Sequence, residues 1–174
     1  MKLKPLPPPP SLALSGTGAE LEVLELLLAE CAGPDGAGAR LATRDGNAVV
    51  HWAAWAGGRA CVARLLDAGA DARAANARGC DAAHWACAGG DVPTIELLAG
   101  PACALDFARP NLAGHTPLEH AVAHGRTAAV EWLVAHDYVT VAAVEYARRL
   151  ARLAPESADR ARIGALVEMS VPLL

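Results

Sequence analysis

Aromatic residues make up only 4% of the 174-residue sequence. So few rings make a thick sheet sandwich the less favoured expectation. Yet 53% of the residues are hydrophobic, and many of these are alanine. Small side chains fill thin spaces, so closely packed helices are expected, and alanine is the best helix former. Lysine stands only at Lys2 and Lys4; every other basic residue is arginine. Arginine in place of lysine suits phosphate or carboxylate recognition. The simpler reading is a GC-rich coding sequence, which also makes alanine, glycine and proline abundant. A basic excess is missing too. The formal net charge is −4, which argues against nucleic acid as a partner, because phosphate binding needs a basic surface. No apolar run approaches the length of a membrane span. Serine and threonine are sparse, no nucleophile–base–acid arrangement stands out, and no glycine loop has phosphate-cradle spacing. Neither an enzyme nor a cofactor is expected.

What remains suggests one domain plus a tail. Five cysteines stand at Cys31, Cys61, Cys80, Cys87 and Cys103. The odd number, in a chain large enough to need no staples, reads as reduced thiols in an intracellular protein. The cytoplasm is the first choice of compartment, with an organelle left open. The start, MKLKPLPPPPSLALSGTG, is broken by prolines and makes a poor secretory signal. It lacks acidic residues but also arginine, so it is a weak transit peptide. Residues 1–16 read as a flexible proline-rich tail. Pro5–Pro10 favours a polyproline helix that could contact an SH3- or WW-type partner.

The chain repeats itself. His51 aligns with His84 at an offset of 33, and the same offset pairs Gly46 with Gly79, Trp52 with Trp85, Gly57 with Gly90, Val62 with Ile95 and Leu65 with Leu98. A third copy follows in NLAGHTPLEHAVAHGRTAAVEWLV. Its Gly114 follows Gly79 by 35, because two extra residues lie between Leu98 and Asp106. Gly125, Val130 and Leu133 then take the places of Gly90, Ile95 and Leu98. A period near 33 with GHTPLEHAVAHG in one copy and LLDAGAD in another resembles the ankyrin repeat, a turn plus two helices. The resemblance covers residues 45 to about 137. It implies an all-α solenoid of stacked helix–turn–helix units. No unit can bury its own apolar face, so the units must stack and be capped.

The expected organisation is an N-terminal capping unit at 17–44, repeats at 45–77, 78–112 and 113–138, and C-terminal capping helices at 139–174. The first unit has a helical stripe at Leu21, Leu24, Leu27 and Leu28; Gly36 then precedes Gly69 by the same 33 residues. The last has two helices, Thr140–Leu153 and Glu156–Met169, separated at Pro155, with Glu156 and Asp159 suited to the positive helix start. Thr116, Pro117, Leu118 and Glu119 fit a capping box with proline at the first helical position. Asp81 can cap the second copy, whereas Ala48 cannot cap the first. Ala53, Ala54, Ala86 and Ala121 should let the first helices lie close.

Proteins of this kind bind other proteins through turn tips and the exposed, concave face of the first helices. Carried over copy by copy, the resemblance gives Arg44, Asp45, Asn47 and Trp55, then Ala77, Arg78 and Cys80, then Leu112, His115, Ala123 and His124. Trp55 is singled out because its counterparts, Ala88 and Ala123, are small; packing against the N-terminal unit is the competing explanation. Trp52 and Trp85 recur and should stack between helices, and Trp132 should join the core. The resulting function is a non-catalytic adaptor or assembly subunit. A regulatory or targeting module of a larger enzyme is the alternative. A metal site at Cys80, His84 and Cys87 is a lower one, since C-x3-H-x2-C puts residues on one helix face. His115, His120, His124 and His136 could form a pH-sensitive face, with scattered surface histidines the plainer reading.

Overall fold

Every copy of the repeat folds as two short helices around a tight turn. A computed structural model describes residues 37–153 and 158–169. The proline-rich tail, the leucine stripe, Cys31, Pro155 and Glu156 lie outside the described residues. After a 3-10 turn at Ala37–Arg40 come α1 (Val49–Ala56), α2 (Arg59–Asp67), α3 (Ala82–Gly89), α4 (Val92–Ala99), α5 (Pro117–Ala123), α6 (Thr127–Ala135), α7 (Val141–Leu153) and α8 (Ala158–Met169). No strand occurs among the described residues; Ala42 and Ala48 form an isolated bridge. None of these helices is long and apolar enough to cross a membrane.

The first helices pack in one row, α1 on α3, α3 on α5 and α5 on α7. The second helices pack in another, α2 on α4, α4 on α6 and α6 on α8. Small residues set the spacing of the first row. Ala53, Ala54, Ala86 and Ala121 are fully buried. Gly89 permits the closest approach: a Cβ there would stand 2.2 Å from the carbonyl oxygen of Trp55. Between the rows lie Val62, Ile95 and Val130, and Leu65, Leu98 and Leu133, all fully buried. Truncating any of these leucines to alanine should cost about 2–5 kcal/mol. Trp85 is also fully buried; His51 stacks on it, and Trp52 meets it edge-on with ring centroids 4.8 Å apart.

The second helices end alike in all three copies. The carbonyls of Leu65, Leu98 and Leu133 accept from the amides of Ala70, Leu105 and Tyr138 at 2.9, 3.1 and 2.9 Å. The two extra residues of the second copy are absorbed before that bond closes. Ala104 takes a left-handed φ of 45° and donates to Gly100, so the insertion becomes a local turn and the register survives. Asp137 stands where the first copy has Gly69, and both are left-handed, at 61° and 86°.

α7 and α8 continue the two rows. α7 starts at Val141 rather than Thr140, because the Thr140 hydroxyl stays outside and accepts the Ala143 amide at 3.2 Å. Asp159 lies in the first turn of α8, as expected for the positive helix end. Ion pairs Arg148–Glu168 and Arg162–Glu131 tie α8 to its neighbours. Both are exposed, and such pairs contribute little.

Candidate functional site

Three turns project from the stack, one before each of α1, α3 and α5. Each is closed by its own backbone. The amides of Thr43, Asn76 and Asn111 donate to the carbonyls of Asn47, Cys80 and His115, and those of Gly46, Gly79 and Gly114 return to Thr43, Asn76 and Asn111. The three glycines have φ of 74°, 76° and 82°, a conformation costly for other residues. Side chains reinforce the loops. Asn76 Oδ1 accepts from the amides of Arg78 and Cys80, and Asn111 Oδ1 from those of Ala113 and His115. Thr43 accepts the Asn47 amide. The turns also bond to one another: Ala77 donates to the Asp45 carbonyl at 2.9 Å, Leu112 donates to the Arg78 carbonyl at 3.0 Å, and Asn76 Nδ2 donates to Asn47 Oδ1. The result is a continuous ridge held by backbone hydrogen bonds within and between its turns.

Arg44, Asp45, Ala77, Arg78 and Leu112 project from it exposed. Leu112 is 81% exposed, the second highest value among the large hydrophobic residues described. Asn47, His115, Ala123 and His124 lie half-buried. His124 Nδ1 donates to the His120 carbonyl and His136 Nδ1 to that of Trp132, so these two histidines close helix ends. Trp55 is half-buried against the core, with its indole N–H buried and unpartnered.

Cys80 is corrected: it is 1% exposed, and its thiol accepts from Asn111 Nδ2 at 3.3 Å near His120. It supports the turn from within and cannot touch a partner. Cys80, His84 and Cys87 do not gather as the metal reading requires. Among the described residues no three His, Cys, Asp or Glu side chains stand close enough to hold an ion. His84 Nδ1 is engaged by Asp81 at 2.8 Å. Burial pushes the Cys87 thiol well above its usual value, and a metal ligand must be a thiolate. The histidines of the third copy do not form one face either, because His120 is buried. Burial, with His84, His124, His115 and Arg78 nearby, lowers its pKa to about 3.

The histidine of the first copy closes its own helix start. His51 Nδ1 accepts the Ala48 amide at 2.9 Å, and its Nε2 donates to the Ala74 carbonyl at 2.9 Å. Burial lowers its pKa, which keeps that acceptor nitrogen free. Glu119 fills the same place in the third copy, accepting the Thr116 amide at 2.8 Å and the Thr116 hydroxyl at 3.3 Å. The departure from histidine is therefore a change of residue within one capping role.

Sequence reasoning missed the arginines that hold the second-helix ends. Arg40 donates to the Gly69 carbonyl, and Arg73 to those of Cys103 and Ala104. Their spacing of 33 was the available signal. It also missed Phe107, the single phenylalanine, which is fully buried beside half-buried Trp132 and Tyr138.

A family model described as ankyrin repeats, in three copies, matches residues 50–143. No curated protein matches the sequence.

Proposed function

The chain belongs to the ankyrin-repeat family, and from that premise we propose that it is a non-catalytic adaptor or assembly subunit, bound to a partner protein along its turn ridge. The observation that carries this reading is the internal hydrogen bonding of the ridge. Its loops are tied to themselves and to each other, while Arg44, Asp45, Arg78 and Leu112 project freely. A preorganised surface loses little conformational entropy on binding. An exposed leucine among arginines suits the apolar-centre, polar-rim pattern of protein interfaces. Asn47, Trp55, His115 and His124 are half-buried and complete the proposed face. Cys80, Cys87 and Cys103 are buried thiols among the described residues, in keeping with a reducing, intracellular setting.

Site-specific photocrosslinking in extract of the native source tests the proposal. A crosslinker replacing Leu112 or Arg78 should trap one defined protein. The same group replacing exposed Glu96, on a second helix, should not. Equal trapping at all three positions, or none at any, would reject the ridge.

A further inference from the structure

The ridge stops after the third copy, and a cavity opens there. In the first copy His51 donates to Ala74, 23 residues on, in the chain leading to the next turn. The residue 23 beyond Glu119 is Ala142, in the first turn of α7. A helix start has replaced the turn. His115, Glu119, Ala142, Glu145, Tyr146 and Arg149 line an open cavity of about 410 Å³ at this junction.

Its charges are unevenly matched. Glu119 is 4% exposed; one carboxylate oxygen holds the Thr116 amide and the other faces His115 Nδ1 at 3.2 Å. Glu145 is exposed and has no hydrogen-bond or ion-pair partner among the described residues. Arg149 follows it by one helical turn, where the two could pair. Instead the guanidinium lies over the Tyr146 ring, 5.4 Å from its centroid. Glu119 is thus already engaged by His115 and the Thr116 amide, whereas the Glu145 carboxylate is not engaged among the described residues. An unpaired carboxylate therefore stands beside a ring that is 7% exposed beneath the Arg149 guanidinium and already carries a cation.

We propose that this cavity receives an arginine or lysine side chain of the protein partner, with Glu145 as the counter-charge and Tyr146 as the platform. The inference rests on the reading of the ridge as a protein-binding surface. Arg149 is the internal stand-in. Being exposed, it can swing away, and an exposed cation–π contact holds it only weakly. Charge complementarity of this kind sets which residue of a partner docks there and in which register.

Two capped tripeptides, acetyl-Gly-Arg-Gly-amide and acetyl-Gly-Glu-Gly-amide, titrated into the full chain and followed by amide NMR, test the proposal. The arginine peptide should shift the signals of Ala142, Glu145 and Tyr146 saturably, and the glutamate peptide should not. Glu145→Gln should weaken the arginine peptide several-fold, and Arg149→Met should strengthen it by removing the competitor. Both substitutions alter exposed side chains. A stronger response to the glutamate peptide, a loss of binding in Arg149→Met, or no saturable shift with either peptide would overturn the assignment. Crosslinking at position 112 reports on the ridge without involving this cavity, so the two ideas fail separately.

Discussion

The first helices of the first two copies, α1 and α3, are each eight residues long and share His-Trp-Ala. They differ in the residue that precedes them. Ala48 offers no side-chain cap. Asp81 accepts the amides of Ala83 at 3.1 Å and His84 at 3.4 Å. That one carboxylate also reverses the histidine. His51 Nδ1 accepts from the backbone, so its proton sits on Nε2. His84 Nδ1 lies 2.8 Å from Asp81 Oδ1, so that nitrogen carries a proton and its Nε2 is left without a partner. These proton positions follow from the hydrogen-bond partners. The repeat thus conserves a backbone and a side-chain position, while the cap decides the chemistry placed on them.

The largest expected effect comes from removing that cap. Burial alone would raise the Asp81 carboxyl, but hydrogen bonds and charge from His84, together with Arg109, outweigh it and hold its pKa below the usual value. Asp81→Ala orphans two amides and a buried imidazole N–H, and should cost about 3 kcal/mol by urea denaturation. A loss no larger than that of an ordinary surface substitution would erase the distinction between the two helix starts.

Acid should act next. His120 and His51 both have lowered folded pKa values. For His120 the unfolded chain binds a proton between about 6.5 and about 3 that the folded chain refuses. Stability therefore falls as pH drops through that window, by up to about 1.4 kcal/mol per pH unit for each such histidine. The depressed Asp81 carboxyl contributes fully above the usual carboxylate range and is lost as pH falls through its folded value. His120→Gln, whose amide oxygen can accept from Asn111, should flatten the dependence of the urea midpoint on pH. An unchanged slope would remove His120 from the account.

Giving α1 the missing cap is a smaller change. Ala48 has an extended φ/ψ of −78°/161°, suited to a capping residue. Ala48→Thr should stabilise by roughly 1 kcal/mol, read as a higher melting temperature. An unchanged or lower value would mean that the 8% exposure of this site leaves no room for the hydroxyl. Smallest of all is Asp137→Gly, which relieves a left-handed non-glycine residue where the first copy already has glycine. It should add about 0.5 kcal/mol, and a loss would mean that the Asp137 carboxylate has an undetected task.

The repeat register was legible because its determinants are local and periodic: glycines at turns, alanines between helices, and a Val/Ile–Leu seam between the rows. Even the two-residue insertion could be placed, since Leu98 and Leu105 reproduce the bond of Leu65 and Ala70. Exposure at the turns was less legible. Arg78 and Cys80 are neighbours in one turn, yet the first points to solvent and the second inward, because Asn76 and Asn111 organise the loop around it. Trp55 drew attention by its size, but Gly89 has let its backbone into the stack. The cavity beside Glu119 was invisible for a different reason. It arises where the repeat is interrupted, and a period describes only what continues.

The central claim is that the turn ridge, rather than the second helices behind it, carries recognition. Calorimetric titration of the crosslinked partner against Leu112→Glu, with Glu96→Lys as the second-helix control, tests it most directly. The account predicts at least a tenfold loss of affinity, about 1.4 kcal/mol, for Leu112→Glu with its melting temperature unchanged, and no change for Glu96→Lys. Equal affinity for Leu112→Glu and the unaltered chain would contradict it.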